Sequence, residues 1–92
     1  MINPDDVFQP CEDVISRKLD DEIVLIDLNS EEIYELNKTG ARFWELLGEG
    51  KRIDQIEVEL RNEYDISIEE LETELESIIT QLLERGLIHH VK

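Results

Sequence analysis

The 92-residue sequence predicts an α+β domain of the winged helix-turn-helix class, a three-stranded antiparallel sheet followed by three helices. Three observations point there. Residues 12–36 hold short β-branched runs divided by turn chemistry. Residues 37–85 hold apolar side chains at three- and four-residue spacing. A turn of only a few residues separates the second helical pattern from the third.

Residues Met1–Pro10 contain two prolines and one apolar pair, Val7-Phe8, and read as an extended arm with Phe8 pinned on the body. This sets an arm over residues 1–11 and a domain over 12–92. Glu12–Leu19 has a β-prone centre at Val14-Ile15, and Asp20-Asp21 supply the turn that ends it. Glu22–Leu28 places Val24, Ile26 and Leu28 on one face and Ile23 and Leu25 on the other. Apolar residues on both faces predict a central strand covered on each side. After Asn29-Ser30, Glu31–Leu36 is the third strand, with Tyr34 and Leu36 toward the core.

Asn37 is a good N-cap for a helix that carries Phe43, Trp44, Leu46 and Leu47 and stops at Gly48-Glu49-Gly50. Gly40 in its first turn costs about 1 kcal/mol relative to alanine, which predicts a close approach of the sheet. Ile53, Ile56, Leu60 and Tyr64 mark a second helix. Ser67 with Glu70 forms a capping box for the third, about Ile68–Arg85. There Ile68, Leu71, Leu75, Ile78, Ile79, Leu82 and Leu83 span roughly 140° of the circumference, wider than a minimal core stripe. Gly86 ends this helix, Leu87-Ile88 return as a short extended segment, and His89-His90 fall at a frayed terminus.

Twenty-four acidic residues against nine basic give a net charge of −15. That balance repels phosphate backbones and anionic membranes and favours basic or neutral partners. The third helix sharpens the point: Glu69, Glu70, Glu72, Glu74, Glu76 and Glu84 face a single Arg85, the reverse of what a DNA-recognition helix needs. The longest apolar run, Ile23–Ile26, is too short to cross a membrane, and no basic start precedes an apolar stretch. One cysteine, Cys11, leaves no internal disulfide and fits a cytoplasmic protein. A chain of this size buries about 60–65% of its unfolded surface, too little to enclose a large active-site cavity.

Catalytic and metal motifs are absent from the sequence. The stretch from Asp27 to Glu31 begins like a calcium loop, but Glu32 stands where the loop needs glycine and Lys38 where it needs a bidentate glutamate. Cys11 has no basic sequence neighbour to activate its thiol. No cofactor, metal or catalytic residue is therefore expected.

Several stretches resemble the PqqD family. They are Asp21–Leu28; Tyr34-Glu35-Leu36-Asn37; Thr39-Gly40-Ala41-Arg42; Trp44-Glu45-Leu46-Leu47; Glu63-Tyr64-Asp65-Ile66; and Leu83-Glu84-Arg85-Gly86-Leu87-Ile88. The resemblance runs over about Val14–Ile88. Two positions depart from it: Ser30-Glu31 where the turn usually has glycine, and Arg52 where a capping serine or threonine is common. What the resemblance implies is a RiPP recognition element, a non-catalytic module that holds the leader of a ribosomally made precursor peptide and presents it to a modifying enzyme. It implies binding of the leader as an added strand beside the third strand, over a groove bounded by the third helix.

That mode suits these residues. Main-chain pairing along Glu32, Ile33, Tyr34, Glu35 and Leu36 supplies sequence-independent affinity, and Leu71, Glu74, Leu75 and Ile78 are the expected helical wall. Glu32 and Glu35 would discourage self-pairing and welcome a basic peptide. A free-standing adaptor of a lasso-peptide pathway is favoured, handing the leader to a leader peptidase or cyclase, as a monomer or weak dimer. The alternatives are a partner of a radical S-adenosylmethionine enzyme in pyrroloquinoline quinone or sactipeptide-like biosynthesis, and, from another class, a structural or regulatory subunit that binds a partner protein through the same edge.

Overall fold

A computed structural model describes residues 2–91; Met1 and Lys92, which the sequence reading assigns to the arm and the domain, lie outside the described residues. The elements are β1 (Val7–Pro10), β2 (Val14–Leu19), β3 (Glu22–Asp27), β4 (Ile33–Leu36), α1 (Lys38–Gly48), α2 (Ile53–Glu63), α3 (Ile68–Glu84) and β5 (Ile88–Val91). Strands β2, β3 and β4 form an antiparallel meander with β3 in the centre. The three helices follow, so the α+β winged-helix arrangement read from the sequence is the one observed.

Ile23, Leu25 and Leu36 turn inward from the sheet onto Phe43, Leu46 and Leu47 of α1, Ile56 and Leu60 of α2, and Leu71, Leu75, Ile79 and Leu82 of α3, all buried. The opposite face of the sheet is uncovered. Val24 and Ile26 are only half-buried and Leu28 is exposed, which corrects the expectation of cover on both sides. Three helices of 11, 11 and 17 residues serve one face.

The loop between β3 and β4 is closed by a bulge. The Glu31 N–H donates to the Asp27 carbonyl (2.7 Å), and the Asp27 N–H donates to the Glu32 carbonyl (3.0 Å). Glu31 has φ +62°, so a glutamate occupies the left-handed position that glycine holds in the usual form of this bulge. The Asp27 carboxylate, which begins the apparent calcium loop, is engaged instead by the Asn29 N–H and the Ser30 hydroxyl.

Asn37 caps α1 by accepting from the Gly40 N–H at 2.9 Å. A Cβ on Gly40 would lie 3.2 Å from Leu36 Cδ2, so the glycine admits the end of β4, as its placement in the helix predicts. At the other end of the helical region, Gly86 (φ +70°) completes a Schellman turn. Its N–H donates to the Leu83 carbonyl and that of Leu87 to the Leu82 carbonyl, and the chain swings from α3 into β5.

The two termini meet there. β1 and β5 pair antiparallel, Phe8 opposite His90, as a separate two-stranded sheet. Phe8 is buried, with the His90 ring edge-on at 5.3 Å, and His90 Nε2 lies 2.9 Å from Asp6 Oδ1. His89-His90 are thus strand residues rather than a frayed end. Buried Leu87 and Ile88 anchor the strand, while His89 and His90, on its two opposite sides, are both exposed. The segment before β1 also begins α2: the Pro4 and Asp6 carbonyls accept from the Asp54 and Ile53 N–H groups at 2.8 and 3.0 Å. Arg52 has no side-chain acceptor to offer as N-cap, and these carbonyls take over its task.

Candidate functional site: the free edge of β4 and the groove beside α3

Strand β4 hydrogen-bonds to β3 on one side; on the other, no strand among the described residues pairs with it. The Asp27–Glu32 bond fixes the phase of the ladder, because bonded and non-bonded pairs alternate in antiparallel strands. Leu25–Tyr34 and Ile23–Leu36 are then the bonded pairs, and Ile26–Ile33 and Val24–Glu35 the non-bonded ones. The N–H and C=O groups of Ile33 and Glu35 consequently point to the free edge. The terminal arm does not occupy that edge, being committed to β5.

Between this edge and α3 runs an open groove of about 540 Å³. Tyr34, Glu35, Leu36 and the cap residue Asn37 line one side; Glu69, Glu70, Thr73, Glu74, Ser77 and Ile78 line the other. The floor is apolar, from Tyr34, Leu36 and Ile78. The lips are acidic: four glutamates and no basic side chain line it. A groove so built suits an extended chain with an apolar anchor and cationic neighbours.

One end of the groove is closed. The Tyr34 hydroxyl donates to the Gln81 carboxamide oxygen of α3, the Arg85 guanidinium stacks 5.1 Å from the Tyr34 ring centroid, and Arg85 Nη1 is 3.5 Å from Glu32 Oε2. These contacts set the spacing between β4 and the C-terminal half of α3 and leave the other end open at Asn37 and Glu69. Below, Arg42 ties α1 to α2 through a two-pronged contact with Glu63 (2.8 and 2.9 Å), and Lys18 of β2 reaches Glu45 of α1 at 3.1 Å. Sheet and helices are thus braced from beneath.

The residues singled out by sequence divide. Tyr34, Glu35, Leu36, Glu74 and Ile78 come together on the groove. Glu32 lies at its closed end, and Ile33 contributes main chain to the edge while its side chain points to the outer face, 62% exposed. Leu71 and Leu75 are core residues, 0% and 2% exposed, and neither lines this groove. Each lies on the inward side of the apolar arc, whereas Ile78 lies on the flank that overhangs β4. The polar residues Asn37, Glu69, Glu70, Thr73 and Ser77 escaped the reading, although spacing of three and four residues from Glu70, Glu74 and Ile78 places the helical ones on one stripe.

Away from the groove, Cys11 Sγ lies 3.7 Å from His89 Nδ1, a basic neighbour that the fold supplies and the sequence hides. Burial first, then the Asp27 and Asp13 carboxylates, push the thiol pKa up, so the group is not an activated nucleophile. Among the described residues, no three His, Cys, Asp or Glu side chains cluster as a metal site would require, and no helix is long and apolar enough to cross a membrane.

The Coenzyme PQQ synthesis protein D (PqqD) family matches residues 22–88. The chain belongs to the PqqD family. That span takes in β3, β4 and all three helices, hence the whole groove, and leaves β1 and β2 outside. Comparison with curated proteins finds no match. Two solved structures are similar to this PqqD-family chain. One, "TbiB1 in Complex with the TbiA(beta) Leader Peptide", is 31% identical with a TM-score of 0.81, covering 88% of this chain and 94% of that one. The other, "Lasso peptide synthetase B1 complexed with the leader peptide", is 26% identical with a TM-score of 0.80, covering 89% and 96%.

Proposed function

We propose that this chain is a leader-peptide adaptor that takes the leader of a ribosomally made precursor as a further antiparallel strand along β4 and delivers it to a modifying enzyme. The observation that carries this is the unpaired edge of β4 lying directly beside an apolar-floored groove. Strand addition gives affinity through main-chain bonds, while alternate side chains enter pockets that choose the sequence. The outward groups of Ile33 and Glu35 supply the first part, and Tyr34, Leu36 and Ile78 the second. Glu69, Glu70 and Glu74 on the helical lip favour a leader with Lys or Arg flanking its apolar anchor.

Both structural neighbours are complexes with leader peptides, and one is a lasso peptide synthetase component; this supports the lasso type, with a leader peptidase or cyclase as recipient. The chain's part in such a reaction is to bind and position rather than to catalyse. Titration of the isotopically labelled protein with the precursor leader, followed by amide shifts, tests the reading. Perturbations should concentrate on Ile33–Asn37 and on α3 from Glu69 to Ile78. Shifts confined to the β1–β5 sheet or to α2 would defeat it.

A further inference from the structure

The outer face of the sheet is not needed to hold a strand in the groove, yet it is built as an interface. Ile15, Ile26 and Ile33 stand directly opposite one another across β2, β3 and β4, forming one row on the side away from the core. Ile15 is 45% and Ile33 62% exposed, and Leu28 beyond the row is 56% exposed. Contiguous apolar surface of this kind on a small domain marks an interaction site. Its surroundings carry Asp13, Glu22 and Glu35 against Arg17. A second copy of the chain would bring a further net charge of −15 and the same acidic surroundings, so the complementary surface is apolar with a basic rim.

The row ends at the free edge. Ile33 is its last member, and a strand added along β4 would set side chains of its own beside Ile33, widening the row from three residues to four. The side chains on the captured strand's other face are taken up by the groove. The outer face is therefore where adaptor and captured peptide are both displayed, and a protein that contacts it reads whether the adaptor is loaded. We propose that this face, centred on the Ile15–Ile26–Ile33 row, docks the enzyme that acts on the captured peptide, a protein presenting an apolar patch rimmed by basic residues, and that the captured strand completes the surface. The inference rests on strand capture as the function of the β4 edge.

The test uses the full chain, a synthetic lasso-type precursor leader and a purified lasso leader peptidase. Enzyme affinity is measured by biolayer interferometry with and without saturating leader, and leader affinity separately by fluorescence anisotropy. Ile15→Glu lies on β2, remote from the groove; it should weaken enzyme binding by about tenfold or more and leave leader affinity within about twofold. Ile15→Thr, which keeps the β-branch, should fall between. Val58→Glu, on a still more exposed apolar residue of α2 (58%), should change neither. Leader should tighten enzyme binding to the wild type. Wild-type enzyme affinity in both Ile15 variants, an equal loss in Val58→Glu, or a wild-type dimer in sedimentation that Ile15→Glu dissolves would each overturn the proposal. A leader that fails to bind at all would refute strand capture, while the Ile15 comparison without leader would still decide whether the face docks the enzyme.

Discussion

Proline at Ile33 isolates the main-chain contribution of the β4 edge. The ladder phase sets the Ile33 N–H outward and the Tyr34 N–H inward toward Leu25. Ile33→Pro thus removes a donor that the resting fold does not use, and proline is tolerated on an edge strand facing that way. Tyr34→Pro instead breaks a bond inside the sheet, loses the hydroxyl contact to Gln81 and should unfold the domain. In the complex, the peptide carbonyl that faces Ile33 would lose its partner, at about 1–3 kcal/mol for a desolvated acceptor. At about 1.4 kcal/mol per decade this is a weakening of roughly 5- to 150-fold in leader Kd. Ile33→Ala is the control, since the side chain points away from the groove, and leader affinity should stay near wild type. Fluorescence anisotropy with labelled leader measures Kd, and circular dichroism melts confirm folding. A folded Ile33→Pro protein that binds leader as the wild type does would refute pairing at this position, and with it the reason for reading β4 as the binding edge.

Two further predictions concern stability. Glu31→Gly should raise it by about 1 kcal/mol, because Glu31 holds φ +62° where glycine has no steric cost; for a domain of this size that is a rise of about 4–8 °C in Tm, and an unchanged or lower Tm would show that the bulge is not strained. Glu57→Gln should stabilise modestly near neutral pH: burial first, then Glu72 and Asp54, raise the Glu57 pKa, so ionisation is disfavoured in the fold and wild-type stability falls as pH rises through that value. The advantage of the variant should vanish on acidification, where wild-type Glu57 is itself neutral, and an advantage that persisted at low pH would contradict this assignment.

Local signals recovered the elements where local chemistry is decisive. Asn37, Ser67 and Gly86 mark helix ends through bonds made within three to five residues, and the β-branched run of β3 fixes its own register alternation. What escaped depends on partners far along the chain. β5 exists because Ile88–Val91 meets Val7–Pro10 across most of the sequence, and no window of a few residues contains both halves of that pair. The start of α2 is similar: Arg52 reads as a poor cap, and only the carbonyls of Pro4 and Asp6 repair it. Nor does periodicity decide how many faces of a sheet are covered. Val24, Ile26 and Leu28 look buried in sequence because the pattern registers apolarity, not what lies above it.

The same limit separates the expected residues that line the groove from those that lie in the core. Leu71, Leu75 and Ile78 belong to one apolar arc, and composition treats them alike. Their fates differ by rotation about the helix: Leu71 and Leu75 point to the interior, while Ile78, three residues on from Leu75, is turned toward β4. An arc of about 140° is broader than a single packing contact uses, and the excess lies at its margins, Ile78 over the groove and Leu83 in solvent at 40% exposure. The width of the arc was therefore the informative quantity, since a helix that only packed would have no use for its flank. Glu70 and Glu74 on that flank, each one helical turn from the next, complete the wall. A helix with its centre in the core and its margin on an open strand edge is what strand capture requires, because the added strand then finds a backbone on one side and a side-chain wall on the other.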